Sequence, residues 1–223
     1  MATLRTTTAI ISLSFLALGG VASAYERQLT PRQIREAYFA GKDNSPRSAE
    51  LFKDYARTFP VPEKGMHIER IALTTPFKAV ADRARTQADY NPVQAEADYK
   101  QQGPPLSVEV TVWLTPNFPA HTPYSFPAHT PYSFPVAGPV LFRDPDFWKL
   151  LDVQVVQGGK VEPLSRTGQA VYDCPDSGPC WLRGAILTLT YDPDKIASRA
   201  VRVRVQPPEG PAVEAEFDLS RLR

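Results

Sequence analysis

The sequence predicts an α+β protein in which a small helical N-terminal region leads into an antiparallel β-sandwich with a long proline-rich loop. Three observations carry this. Four capping residues stand directly before prolines in the first part of the chain: Thr30-Pro31, Ser45-Pro46, Thr75-Pro76 and Asn91-Pro92. Beyond Gly103-Pro104-Pro105 the apolar residues recur every second position instead of at helical spacing. From there on, short apolar runs alternate with Pro, Gly and Asp turns, the spacing of a sandwich or barrel. An immunoglobulin-like topology is compatible with that pattern.

Residues 1–24 are read as an address and are kept out of the fold. Arg5 supplies a positive n-region, Ala9–Leu18 is an apolar stretch, and Ala22-Ser23-Ala24 is a small-x-small cleavage site. Gly19-Gly20 breaks the stretch well before the roughly 20 apolar residues of a spanning helix. The expectation is a secreted or periplasmic protein cleaved after Ala24, beginning at Tyr25, with no membrane span in the mature chain.

The remaining 199 residues divide at the Gly103 boundary. Residues 25–102 are predicted to be mainly helical. Proline is accepted at the first helical position because its missing N–H is one of the four a helix leaves unpaired, and Ser, Thr or Asn before it caps two of the others. Thr30 with Gln33, and Asn91 with Gln94, also have capping-box spacing. Ile34, Ala37 and Tyr38 form one helical face, with Gly41 as its expected stop. Leu51, Phe52 and Tyr55 form a second, and Phe77, Val80, Ala81 and Ala84 a third. Ile68–Thr74 is expected to be a short strand, with His67 before it as a structural residue.

Residues 103–223 are predicted to be β-rich. Val108, Val110, Val112 and Leu114 alternate with Ser107, Glu109, Thr111 and Trp113. Further strands are expected at Val140–Phe142, Leu151–Val156, Gln169–Tyr172, Ala185–Tyr191, Val201–Gln206 and Val213–Leu219. The last two should form a hairpin around Pro207–Pro211 that pairs Arg202 with Glu216 and Arg204 with Glu214. The alternative register, shifted by two, would bring Pro211 into the ladder, where it cannot donate a hydrogen bond. Asp144-Pro145-Asp146 and Asp192-Pro193-Asp194 read as turn or cap signals.

The loop 116–138 holds the one internal repeat: Phe118–Ser125 recurs unchanged as Phe126–Ser133. A proline at every fourth position excludes helix and central strand. Two readings compete. As a recognition arm, it would present Phe118, Tyr124, Phe126, Tyr132 and Phe134 to a partner from a stiff backbone. As a surface loop lengthened by duplication, it would carry no role, and the perfect identity of the copies favours this second reading.

Chemistry leaves few marks. Cys174 and Cys180, two cysteines six apart in an exported chain, are expected to form a disulfide. Closing that loop should contribute about 2.4 kcal/mol in the chain-entropy model. Three histidines and no further cysteine give no metal site, and no nucleophile elbow or phosphate-cradling glycine loop is present. The sequence therefore names no catalytic, cofactor-binding or metal-binding residue. Charge argues against nucleic acid as a partner: removing Arg5 with the leader leaves 24 bases against 24 acids. The expectation is a non-catalytic binding or interaction module whose partner is a protein or a glycan. The alternatives are a structural or assembly component of the envelope, and a carbohydrate-active enzyme with no sequence-visible motif.

Overall fold

The computed structural model describes residues 25–62, 65–103, 106–115, 144–174, 180–208 and 210–223. It shows an α+β protein with four α-helices and two antiparallel sheets. The helices are α1 (Pro31–Lys42), α2 (Pro46–Phe52), α3 (Pro76–Thr86) and α4 (Pro92–Gln102). The strands are β1 (Ala56–Thr58), β2 (Met66–Thr74), β3 (Leu106–Leu114), β4 (Asp152–Val156), β5 (Lys160–Val161), β6 (Ser165–Asp173), β7 (Trp181–Tyr191), β8 (Ala200–Gln206) and β9 (Val213–Asp218). One sheet runs β1-β2-β3-β7-β6 and the other β5-β4-β8-β9. In the immunoglobulin arrangement the third strand crosses to the opposite sheet. Here β2 and β3 are neighbours in one sheet.

All four helices start where the sequence places them. Thr30, Ser45, Thr75 and Asn91 are the N-caps, each accepting a backbone N–H with its side chain, and Thr30–Gln33 and Asn91–Gln94 complete capping boxes. Such a cap is worth about 1 kcal/mol over alanine. Gly41 does not stop α1, which runs one residue further. Its lack of a side chain serves packing instead: a Cβ there would lie 2.1 Å from the Ala81 carbonyl oxygen of α3. The two helices touch backbone to backbone, and Ile34, Ala37, Phe77, Val80, Ala81 and Ala84 fill the space beside that contact.

The two sheets share one core. On the five-stranded sheet, Ile71, Leu73, Val108, Val110, Val112, Leu187 and Leu189 are buried on one face. On the four-stranded sheet, Val153, Val155, Val201, Val203, Val205, Ala215 and Phe217 are buried. The Arg57 guanidinium of β1 lies 5.3 Å from the Phe217 ring of β9, directly across the sandwich. The β8–β9 hairpin has the expected register, with Arg202 opposite Glu216, Arg204 opposite Glu214 and Val203 opposite Ala215. Asp192 caps a short turn by accepting from Asp194 N, and Asp144 accepts likewise from Asp146 N.

The helices gather at one end of the sandwich. β2 passes directly into α3, and α4 leads through Gly103 into β3. Arg223 ties the segment after β9 to this end. Its backbone N–H donates to the Tyr55 hydroxyl, its carbonyl accepts from Tyr55 and Thr75, and its guanidinium binds Glu36 at 2.9 Å above the Phe77 ring. The opposite end, where β2 and β7 begin and β3 finishes, holds no α-helix among the described residues.

Candidate functional site

The outer face of the five-stranded sheet follows from pairing. β3 lies between β2 and β7, with His67, Trp113 and Gly184 in one cross-strand row and Val171 of β6 completing it. Below it run Arg70, Thr111, Ile186 and Gln169, then Ala72, Glu109, Thr188 and Thr167. This is the polar side of the alternation seen in the sequence, and Trp113 is its one large ring on β3.

Both strands beside Trp113 carry an extra residue next to it. On β2, Ile68 pairs with Val112 and Arg70 with Thr111, which leaves Glu69 as a bulge. On β7, Gly184 pairs with Val171 and Leu182 with Tyr172, which leaves Arg183 as a bulge. Bulges re-aim side chains, and both of these converge on the same indole. Glu69 accepts the Trp113 indole N–H. Arg183 places its guanidinium 5.0 Å from the Trp113 ring centroid, a cation–π stack. Gly184 makes room underneath: a Cβ there would fall 2.4 Å from the ring. Trp113 is thus held from both sides and from below.

The edge of this site is open. Trp181 lies across from Asp173 at the end of the β6–β7 hairpin and is 53% exposed. Asp173 sits 3.9 Å from the Arg183 guanidinium, too far for a hydrogen bond, so the donor fork of Arg183 is unused among the described residues. The Cys174–Cys180 disulfide joins the two strands just beyond Asp173 and Trp181. No free cysteine is present among the described residues. A thiol assay on denatured, unreduced protein should therefore find no reactive thiol, and replacing both cysteines by serine should cost up to about 2.4 kcal/mol. Two reactive thiols in the native product would contradict the pairing.

His67, opposite Trp113, is buried, and its Nε2 has no hydrogen-bond partner among the described residues. Burial lowers its pKa below the ordinary 6.5, with the Glu69 charge opposing. The folded protein thus favours neutral His67. Below pH about 6.5 the unfolded chain takes up a proton that the folded one resists, so stability is full above that pH and falls as the pH drops. Melting temperature should fall between pH 7.5 and 5.5, and His67→Gln should flatten that part of the profile. An unchanged slope in the variant would refute the assignment.

The remaining sequence candidates fall elsewhere. Phe118, Tyr124, Phe126, Tyr132 and Phe134 lie outside the described residues, as does the strand expected at Val140–Phe142. Between α3 and α4, Val80, Arg83, Tyr90, Asp98 and Tyr99 line a cleft of about 40 Å³. That is room for about three waters, far below the roughly 300–1,000 Å³ of a small-molecule site. Among the described residues no three His, Cys, Asp or Glu side chains are grouped to hold a metal, and no helix is long and apolar enough to cross a membrane.

Glu69, Arg183 and Trp181 were not among the residues the sequence singled out. One signal was available: Gly184 inside an apolar strand pattern marks a bulge or a close approach. No family model, no curated protein and no solved structure matches the chain.

Proposed function

We propose that the chain is an exported, non-catalytic binding module that engages its partner on the outer face of the five-stranded sheet. One observation carries this reading: two bulges, on the two strands flanking β3, bring Glu69 and Arg183 onto Trp113. A bulge weakens the ladder locally, and two at the same indole form a preorganised polar cluster next to an exposed ring. Preorganised groups bind with less loss of freedom than mobile ones. Export is supported by the leader pattern in residues 1–24 and fits the Cys174–Cys180 disulfide, because oxidising compartments are where such bonds persist.

Two measurements test the proposal. N-terminal sequencing of the product should find Tyr25 first, and a retained Met1 on an exported protein would refute the leader. Immobilised residues 25–223 should retain a component of the native extracellular or periplasmic fraction, whether protein or sugar. The Trp181→Ala/Arg183→Ala variant should lose it. Equal retention by both proteins would remove this face as the site.

A further inference from the structure

We infer that this face recognises a neutral glycan, with one sugar ring stacked on Trp181 and hydroxyls bonded to Arg183, Asp173 and Glu69. The inference rests on the binding-module reading above and names its ligand. A pyranose ring has a face of C–H groups and a rim of hydroxyls. It therefore needs an exposed aromatic plane and, beside it, groups that donate as well as groups that accept. Trp181 is the exposed plane. Arg183 is the donor, its guanidinium placed 5.0 Å from the Trp113 ring centroid and making no hydrogen bond among the described residues. Asp173 and Glu69 are the acceptors. Glu69 spends one interaction on the Trp113 indole N–H and keeps lone pairs free. Each hydroxyl both donates and accepts, which suits a cluster holding one donor group and two acceptors.

Charge narrows the class. Two carboxylates and one guanidinium leave the cluster with a formal excess of one negative charge, while Arg70 and Glu109 nearby neutralise each other at 3.3 Å. Phosphate, sulfate and uronate ligands would meet net repulsion; an uncharged polyol would not. The surroundings argue against a protein partner. Interfaces between proteins have an apolar, desolvated centre, whereas the rows next to that of Trp113 present Gln169, Thr167 and Thr188 on β6 and β7. Trp113 and Trp181 are on adjacent strands, roughly 10 Å apart by strand geometry, so a saccharide stacked on Trp181 comes within reach of the Arg183 and Glu69 groups gathered around Trp113.

The test applies residues 25–223 to an array of neutral and acidic glycans and follows the best binder by tryptophan fluorescence titration. A neutral oligosaccharide should bind and perturb the emission. Trp181→Ala should weaken it at least about tenfold, or about 1.4 kcal/mol, with the melting temperature unchanged, while Trp181→Phe should retain most of the affinity. Arg183→Ala should weaken it as well. Tighter binding of an acidic glycan, or affinity that survives Trp181→Ala, would overturn the inference. Should no neutral glycan bind while the pull-down still retains a protein through Trp181, the glycan inference fails and the binding module stands. Should neither occur, both fail.

Discussion

Gly184→Val is expected to be among the most damaging single substitutions in this protein, at about 3 kcal/mol or more. The reason is crowding from two directions. A Cβ at Gly184 would stand 2.1 Å from the backbone oxygen of Val112 and 2.4 Å from the Trp113 ring. A flexible side chain can move aside, but a strand carbonyl cannot without opening the ladder between β3 and β7. Those two strands form the centre of the five-stranded sheet and carry Val108, Val110, Leu187 and Leu189 into the core. Overpacking ordinarily costs about 1–3 kcal/mol, and here the two added methyls of valine come on top of a Cβ that already has no space. Displacing the indole would also break its bond to Glu69 and its stack with Arg183, so any ligand affinity should fall with stability. Gly159→Ala is the matched control. Nothing lies within 4 Å of a Cβ there, and the effect should stay within about 0.5 kcal/mol. Urea unfolding of both variants decides the matter; a Gly184→Val midpoint close to wild type would mean that Trp113 does not lie over this glycine.

The contrast between Gly184 and the helix caps shows which parts of the structure were legible in the sequence. Thr30, Ser45, Thr75 and Asn91 announce their helices because a cap is a contact between residues two or three apart, and the chain spells it out locally. The β8–β9 register could be worked out in advance because a proline-rich turn, a charge pattern and an apolar face all constrain the same pairing. Two very short strands, β1 and β5, contain too few residues to show a period. The bulges are a different case. Glu69 and Arg183 are surplus residues only with respect to the strands beside them: the β3 partners of Ile68 and Arg70 stand 44 and 41 positions away in sequence, and β6 and β7 are parted by the segment that the Cys174–Cys180 disulfide closes. Trp113 could be assigned to the outer face by alternation, but the acid and base that meet on it could not. Gly41 was misread for a related reason. A glycine near the end of a helical pattern normally marks its stop, and nothing local distinguishes it from a glycine that admits another helix's backbone.

Phe217→Ala should destabilise the protein by about 3–5 kcal/mol, the usual cost of removing a fully buried phenylalanine. Phe217 is completely buried on β9, opposite Val201 and beside the inward row of Val203 and Ala215. Its ring also reaches across the sandwich to the guanidinium of Arg57, so one side chain joins the edge strand of one sheet to the edge strand of the other. Truncation would leave a cavity between two hydrogen-bonded sheets, and sheets cannot collapse into a gap as readily as a loop can. At roughly 2–4 °C per kcal/mol for a chain of this size, the melting temperature should drop by about 10 °C. Phe217→Leu should recover most of it, because much of the loss is volume rather than aromatic character. The contact with Arg57 is the part that leucine cannot restore. A double-mutant cycle with Arg57→Met, which keeps the aliphatic stem and removes the charge, should give a coupling of about 0.5–1 kcal/mol. The cycle also tests the architecture. Arg57 and Phe217 are 160 positions apart and belong to different sheets, so a coupling of zero together with a small cost for Phe217→Ala would show that the sheets do not face each other over this ring. Because the site around Trp113 lies at the end of the sandwich away from the helices, ligand binding by folded Phe217→Leu should match wild type, which separates loss of packing from loss of function.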